Sequence, residues 1–228
     1  MAARHSRLCG PSTNFPMPST RICLVRHGET AWNAEQRLQG HEDIALNAKG
    51  LAQAQAIAAA LASCEFSAIY HSDLQRATAT ARTIASQRPA PLIAEAALRE
   101  RHFGILQGIT REQAEQRYPG LYAALRTHNP AMTPPGEGES LNAFATRIHD
   151  ALHAIAARHL GETILIVSHG GCMDIMYRIV TGKALTEVRD FRLGNATLNW
   201  IERVGSGWKM QVWDEKAHLL DCFDEISA

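Results

Sequence analysis

The 228-residue sequence predicts an α/β fold, a three-layer α/β/α sandwich around a mostly parallel central sheet. Three observations carry that expectation. Short apolar runs alternate with segments of helical spacing along most of the chain. Two of the runs, Ile22-Cys23-Leu24-Val25 and Ile164-Leu165-Ile166-Val167, are apolar at every position, as strands covered on both faces are. Hydrophobic residues make up 46% and charged residues 20%, ordinary for a globular chain long enough to bury a core without staples.

The elements follow in order. Residues 1–19 hold Gly10, Pro11, Ser12, Pro16 and Pro18 and read as a disordered leader, with Met17 a possible alternative start; residues 20–228 read as a single domain. The first strand is 22–25, ending at polar Arg26. Leu51, Ala54, Ala58 and Leu61 recur at helical spacing and predict a helix over 48–62. Ala68-Ile69-Tyr70 is a second strand. Ser72 or Asp73 can cap a helix reaching about residue 87, with Leu74, Ala77, Ala81 and Ile84 inward. Residues 91–94 offer a third strand. The stretch 104–139 is rich in Gly and Pro and is irregular, with room for one or two short helices around 111–127. From Ser140, residues Leu141, Phe144, Ile148, Leu152 and Ile155 mark a long amphipathic helix. A strand at 163–167 runs into Ser168-His169-Gly170-Gly171 and a helix to about Val180. Residues 197–203 and 208–213 alternate around Gly205-Ser206-Gly207 as a hairpin.

Bulk composition narrows the function. Basic and acidic side chains balance at 23 each, so neither nucleic acid nor a membrane surface is an expected partner, and any anion site must be local. Five widely spaced cysteines without a C-x-x-C pair point to reduced thiols in a cytoplasmic protein, not to zinc or a redox couple. No apolar run has membrane-spanning length, and the basic N-terminus lacks the apolar stretch of a signal peptide.

Two segments share one architecture. In ICLVRHG (22–28) and ILIVSHG (164–170) a buried strand ends, and a polar residue and a His-Gly follow. Ligands of open α/β sheets bind at the carboxyl ends of strands, where both histidines arrive. Neutral imidazole is a competent nucleophile near neutral pH, and a second can hydrogen-bond phosphoryl oxygens. Arg26 precedes one histidine, and Arg76, just past a strand end, can reach the same mouth with a planar fork suited to phosphate. Glu100, in LRER (98–101), is a candidate acid for a leaving alkoxide. Gly170-Gly171 opens a helix whose free N–H groups can hold an anion. Cys172 near that helix start is a conceivable nucleophile; a small buried packing residue is the favoured reading.

RHGETAWN (26–33), SDLQRATATA (72–81), LRERHFGILQG (98–108), GESL (138–141) and VSHGG (167–171) resemble, in order, the motifs of the histidine phosphatase superfamily, also called phosphoglycerate mutase-like. The resemblance covers roughly 20–215. It implies that His27 becomes a phosphohistidine, that Arg26, Arg76 and His169 complete a phosphate pocket, and that Glu100 is the proton donor. It places Asn33 at the phosphoryl group or substrate, with Thr30, Gln39, Gly40 and Gly170 as further contacts, partly through backbone groups, and Arg101 as another candidate. It implies a three-layer fold and no metal. Within the superfamily, PPGEGESL looks more like the broad-specificity phosphatase branch. Arg111 falls where a mutase places a basic residue, but the long insertion of the mutases is missing here, and Arg99 stands where they carry asparagine. The expected function is therefore phosphomonoester hydrolysis on a small phosphorylated metabolite, without a cofactor. A cofactor-dependent phosphoglycerate mutase, primed by a bisphosphoglycerate, is the alternative, and a non-catalytic phosphate-binding protein is another. The expected partner is a small phosphate ester, with a homodimer possible.

Overall fold

The computed structural model describes residues 18–86 and 88–220. Among them six strands form one sheet: β1 (Ser19–Arg26), β2 (Ala68–His71), β3 (Leu92–Ala94), β4 (Thr163–Ser168), β5 (Leu198–Val204) and β6 (Gly207–Glu215). Their spatial order is β3-β2-β4-β1-β5-β6. The four strands from β3 to β1 are mutually parallel, while β5 and β6 are an antiparallel hairpin added beside β1. The helices are α1 (Ala31–Ala34), α2 (Ala48–Ala60), α3 (Gln75–Ala85), α4 (Arg111–Arg117), α5 (Pro119–Arg126), α6 (Leu141–Arg158) and α7 (Gly170–Thr181).

Strand alternation explains the three layers. Successive side chains of a strand point to opposite faces. Ile22 and Leu24 of β1, with Ile164 and Ile166 of β4, pack under α6 and α7. Cys23 and Val25, with Leu165 and Val167, pack under α2 and α3. All eight residues are fully buried, as a strand covered on both sides requires. The helical stripe expected on α6 is buried at Leu141, Phe144, Ile148, Leu152 and Ile155, and Ser140 caps it by accepting from Ala143 N. Each such side chain contributes about 1.5–3 kcal/mol by leaving water.

Several local expectations are corrected. Ser19, placed in the leader, opens β1 and donates its hydroxyl to Glu202 Oε1 at 2.5 Å. Residues 1–17, with Cys9, lie outside the described residues, as do Cys222 and the expected helix end at 87. Leu51 is 50% exposed, because α2 buries the face made by Gly50, Gln53, Ala54, Ile57 and Ala58. The close docking of Gly50 sets that rotation: a Cβ there would lie 2.0 Å from Glu29 O, and one on Gly28 would lie 2.4 Å from Gly50 O. Gln53 completes the seam by accepting from Glu29 N at 2.8 Å. Neither Ser72 nor Asp73 is the N-cap of α3, which is Leu74. Asp73 instead holds Arg99 through two bonds of 2.7 and 2.6 Å, and Asp43 takes the capping role by accepting from Gln75 N at 2.7 Å. No helix among the described residues is long and apolar enough to cross a membrane.

Candidate active site

The two histidines meet because of strand register. Arg26 at the end of β1 pairs with Ser168 at the end of the neighbouring parallel β4, so His27 and His169 leave the sheet at one level. Their ring centroids are 5.2 Å apart. On the other side of β4, β2 ends at His71 opposite Val167, and the chain turns into α3. The first turn of α3 carries Arg76, only 1% exposed, into the same place. Its Nε donates to His169 Nδ1 at 3.2 Å, and its Nη1 and Nη2 donate to Glu42 O and Gly40 O at 2.8 Å each. Three of the five N–H groups of the guanidinium are thereby fixed, and two remain.

The partners assign opposite tautomers to the two rings. His27 Nδ1 lies 2.7 Å from Gly28 O, and a carbonyl only accepts, so Nδ1 carries the proton. The lone pair of His27 is therefore on Nε2. His169 Nδ1 accepts a hydrogen bond from Arg76 Nε, so its own N–H is on Nε2, a buried atom with no partner among the described residues. Burial first, then the Arg76 guanidinium, holds both imidazoles well below their ordinary value, with Arg26 adding to the effect. The two neutral rings thus differ in what their Nε2 atoms carry: a lone pair on His27 and an N–H on His169.

Glu100 reaches the cavity from the turn after β3. Its Oε1 accepts from Arg101 N and its Oε2 from Gly171 N, each at 2.8 Å. Of the N–H groups at the start of α7 that could hold an anion, that of Gly171 is taken by the Glu100 carboxyl, while Gly170 lines the cavity. A Cβ at Gly171 would lie 2.2 Å from Glu100 Oε1, so any larger residue there would displace that carboxyl.

A cavity of about 860 Å³ opens above these groups and is lined by Arg26, His27, Arg76, Glu100 and Gly170. Asn33, Gln39, Gly40 and Arg101 also line it. Asn33 Oδ1 is consumed by Thr30 and Asn195, which leaves its amide N–H groups to the cavity. Gln39 Oε1 is buried without a partner among the described residues. Gly40 has φ +56°, where a Cβ would meet Gln107, and its carbonyl orients Arg76. Thr30 is displaced from its expected role. It is fully buried, is absent from the lining, and forms a capping box with Asn33 at the start of α1. Arg101 spends Nε on Glu139 O and Nη2 on Met132 O, at 2.8 and 3.1 Å, and so tethers the 104–139 segment over the mouth. Cys172 is buried, donates to Leu98 O and Arg99 O, and has its thiol pushed up by burial and by Glu100. It packs within the core cluster beneath α6 and α7.

The loop between α7 and β5 escaped the sequence reading. Asn195 Nδ2 donates to His27 O at 2.9 Å, Leu193 O accepts from Arg26 Nη1 at 2.5 Å, and Arg189 and Arg192 line the cavity. No periodicity marks such residues; only their tertiary contacts do. Among the described residues no three His, Cys, Asp or Glu gather in a metal-binding group.

Comparison with known proteins agrees with this arrangement. The family model for the histidine phosphatase superfamily, branch 1, matches residues 22–216. The chain is 39% identical over 202 residues to the metal-independent phosphoserine phosphatase of Arabidopsis thaliana, covering 88% of this chain and 83% of that one. It is 38% identical over 207 residues to phosphoglycerate mutase-like protein 4 of the same plant, covering 87% and 86%. Among solved structures, the Entamoeba histolytica phosphoserine phosphatase in complex with 3-phosphoglyceric acid superposes with a TM-score of 0.78 at 28% identity, covering 88% of this chain and all (100%) of that one. Two histidines at adjacent strand ends, a buried arginine bonded to one of them and a family match over residues 22–216 make this chain a member of the histidine phosphatase superfamily, branch 1.

Proposed function

We propose that the protein hydrolyses phosphomonoesters of small metabolites through a phosphohistidine at His27, without a metal. The observation that carries this reading is the tautomer pair: Gly28 O leaves a lone pair on His27 Nε2, and Arg76 leaves a proton on His169 Nε2. His27 Nε2 attacks phosphorus, the bond to the ester oxygen breaks, and Glu100 gives that oxygen a proton. Water then attacks the phosphohistidine, Glu100 takes the proton, and the P–N bond breaks. Arg26, Arg76 and His169 bear the phosphoryl charge, the part most of the barrier depends on. Burial pushes Arg26 down to about 10, so it remains cationic at neutral pH. Glu100 lines the cavity, and a binding protein has no use for a proton donor there. The test is phosphate release over a panel of phosphomonoesters with EDTA present, beside a mutase assay. Hydrolysis that survives chelation is expected. Loss of hydrolysis on chelation overturns the metal-free reading, and phosphoryl return to an isomeric product in place of hydrolysis selects the mutase.

The pH profile has a definite sign. Because the His27 conjugate acid lies well below the ordinary 6.5, the nucleophile stays neutral as pH falls through that value. Turnover of p-nitrophenyl phosphate, which needs little help from an acid, is expected to persist below pH 6.5. An acid limb centred at 6.5 would instead indicate a solvated imidazole.

Arg76→Lys keeps a charge but cannot span His169, Gly40 and Glu42 together. We expect kcat/KM to fall on the order of 10²-fold or more, with a lower Tm. Unchanged kinetics would remove Arg76 from the phosphate pocket.

A further inference from the structure

The phosphoryl pocket accounts for Arg26 and Arg76 but not for the remaining positive charge around the cavity. Arg189 and Arg192 line it from the loop between α7 and β5, and neither has an acidic partner among the described residues. Acids are not lacking in that loop. Glu187 and Asp190 flank Arg189, yet both are engaged by Lys183, at 3.8 and 2.9 Å. Glu187 also accepts from Ala184 N at 2.7 Å. The loop thus gathers its acids around a lysine, and its arginines line the cavity without an acidic partner among the described residues.

The loop is also fixed in place. Phe191 stacks on Tyr177 of α7 with centroids 3.6 Å apart, and Arg192 O accepts from Trp213 Nε1 at 3.0 Å. Leu193 O and Asn195 tie the following residues to Arg26 and His27. The backbone that carries the two arginines is therefore tied to the elements that hold Arg26 and His27. Arg189 is near enough for its charge to weaken the hold of Arg26 on its proton. Of the facing carboxylates, Glu100 accepts from two backbone N–H groups and Asp174 is paired with Arg178 at 3.0 Å, so neither is bonded to Arg189 or Arg192.

We infer that Arg189 and Arg192 form a second anion subsite, which grips a carboxylate or a second phosphate on the alcohol part of the ester. The inference rests on the phosphatase reading and narrows its substrates to esters carrying a further negative group. A planar guanidinium fork fits both anions, so the test separates them. In one arm, 3-phosphoglycerate is compared with glycerol 3-phosphate, which lacks only the carboxylate charge. In the other, fructose 1,6-bisphosphate is compared with fructose 6-phosphate.

For the native protein, kcat/KM is expected to favour the member with the additional anionic group in at least one pair by roughly 10-fold or more, as charged hydrogen bonds allow. In the variant carrying R189Q and R192Q that ratio should collapse toward one, while R189K retains part of it. A native ratio near one in both arms, or a ratio untouched by the double substitution, overturns the subsite. Calorimetric binding of the same four esters to the His27→Ala protein, with and without the two arginine substitutions, gives affinity ratios without turnover. If no ester, p-nitrophenyl phosphate included, is hydrolysed, the phosphatase reading falls and the binding ratios still decide the subsite.

Discussion

Replacing His27 with alanine is expected to lower turnover on the order of 10⁴-fold or more and to abolish labelling of the protein by a radiolabelled phosphate ester. The size of the loss follows from the lack of a substitute. His169 is the other imidazole at hand, but Arg76 occupies its Nδ1 and the proton sits on Nε2, so its free nitrogen has no lone pair to offer. The Cys172 thiol is buried, is pushed up by that burial and by Glu100, and donates to two carbonyls. The variant should fold, because the backbone carries the local contacts: His27 N donates to Ser168 O, and His27 O accepts from Asn195 Nδ2. Labelling that survived in a folded His27→Ala protein would mean a different nucleophile.

The parts of this site legible in the sequence are those that regular structure positions. His27 and His169 could be placed together because each ends an uninterrupted apolar run, and such runs become neighbouring buried strands. Arg76 was legible because it begins a helix directly after a strand. Other positions failed where a distant segment decides. Leu51 has the right spacing for the core, yet the contact of Gly50 with the Glu29 backbone turns α2 the other way. The cap of α3 comes from Asp43, more than thirty positions earlier in the chain. Thr30 has the composition of a phosphate ligand but spends its donor and acceptor on Asn33. Arg189 and Arg192 sit in a loop without pattern, which tertiary contacts such as the stacking of Phe191 on Tyr177 and the Trp213 bond to Arg192 O bring to the cavity. Sequence periodicity reports which face an element buries; it does not report which loop is pressed against it.

The start of α7 shows the same limit and leads to the second large effect. Helix propensity alone favours Ala over Gly by about 1 kcal/mol, so Gly171 within the first turn of α7 is locally costly. What it permits is the approach of Glu100: the Gly171 N–H donates to Oε2 at 2.8 Å, and a Cβ would lie 2.2 Å from Oε1 and 3.2 Å from Phe144 Cε1. Glu100 cannot retreat as a whole, since its carbonyl accepts from His41 Nε2 at 2.8 Å and from Arg147 Nη2 at 3.3 Å. Gly171→Ala should therefore expel the carboxyl from its place beside the reacting ester. For alkyl phosphates, whose leaving oxygen needs a proton, turnover is expected to fall by about 10²–10⁴-fold, the range for losing a general acid. For p-nitrophenyl phosphate the first step should be nearly spared, and the phosphorylated protein should accumulate, because water attack has lost its base. Acting through one group, the two changes should not add: Gly171→Ala introduced into a Glu100→Ala background should cost little more than Glu100→Ala alone. Additive losses would show that Gly171 serves the packing of α7 against Phe144 and not the placement of Glu100.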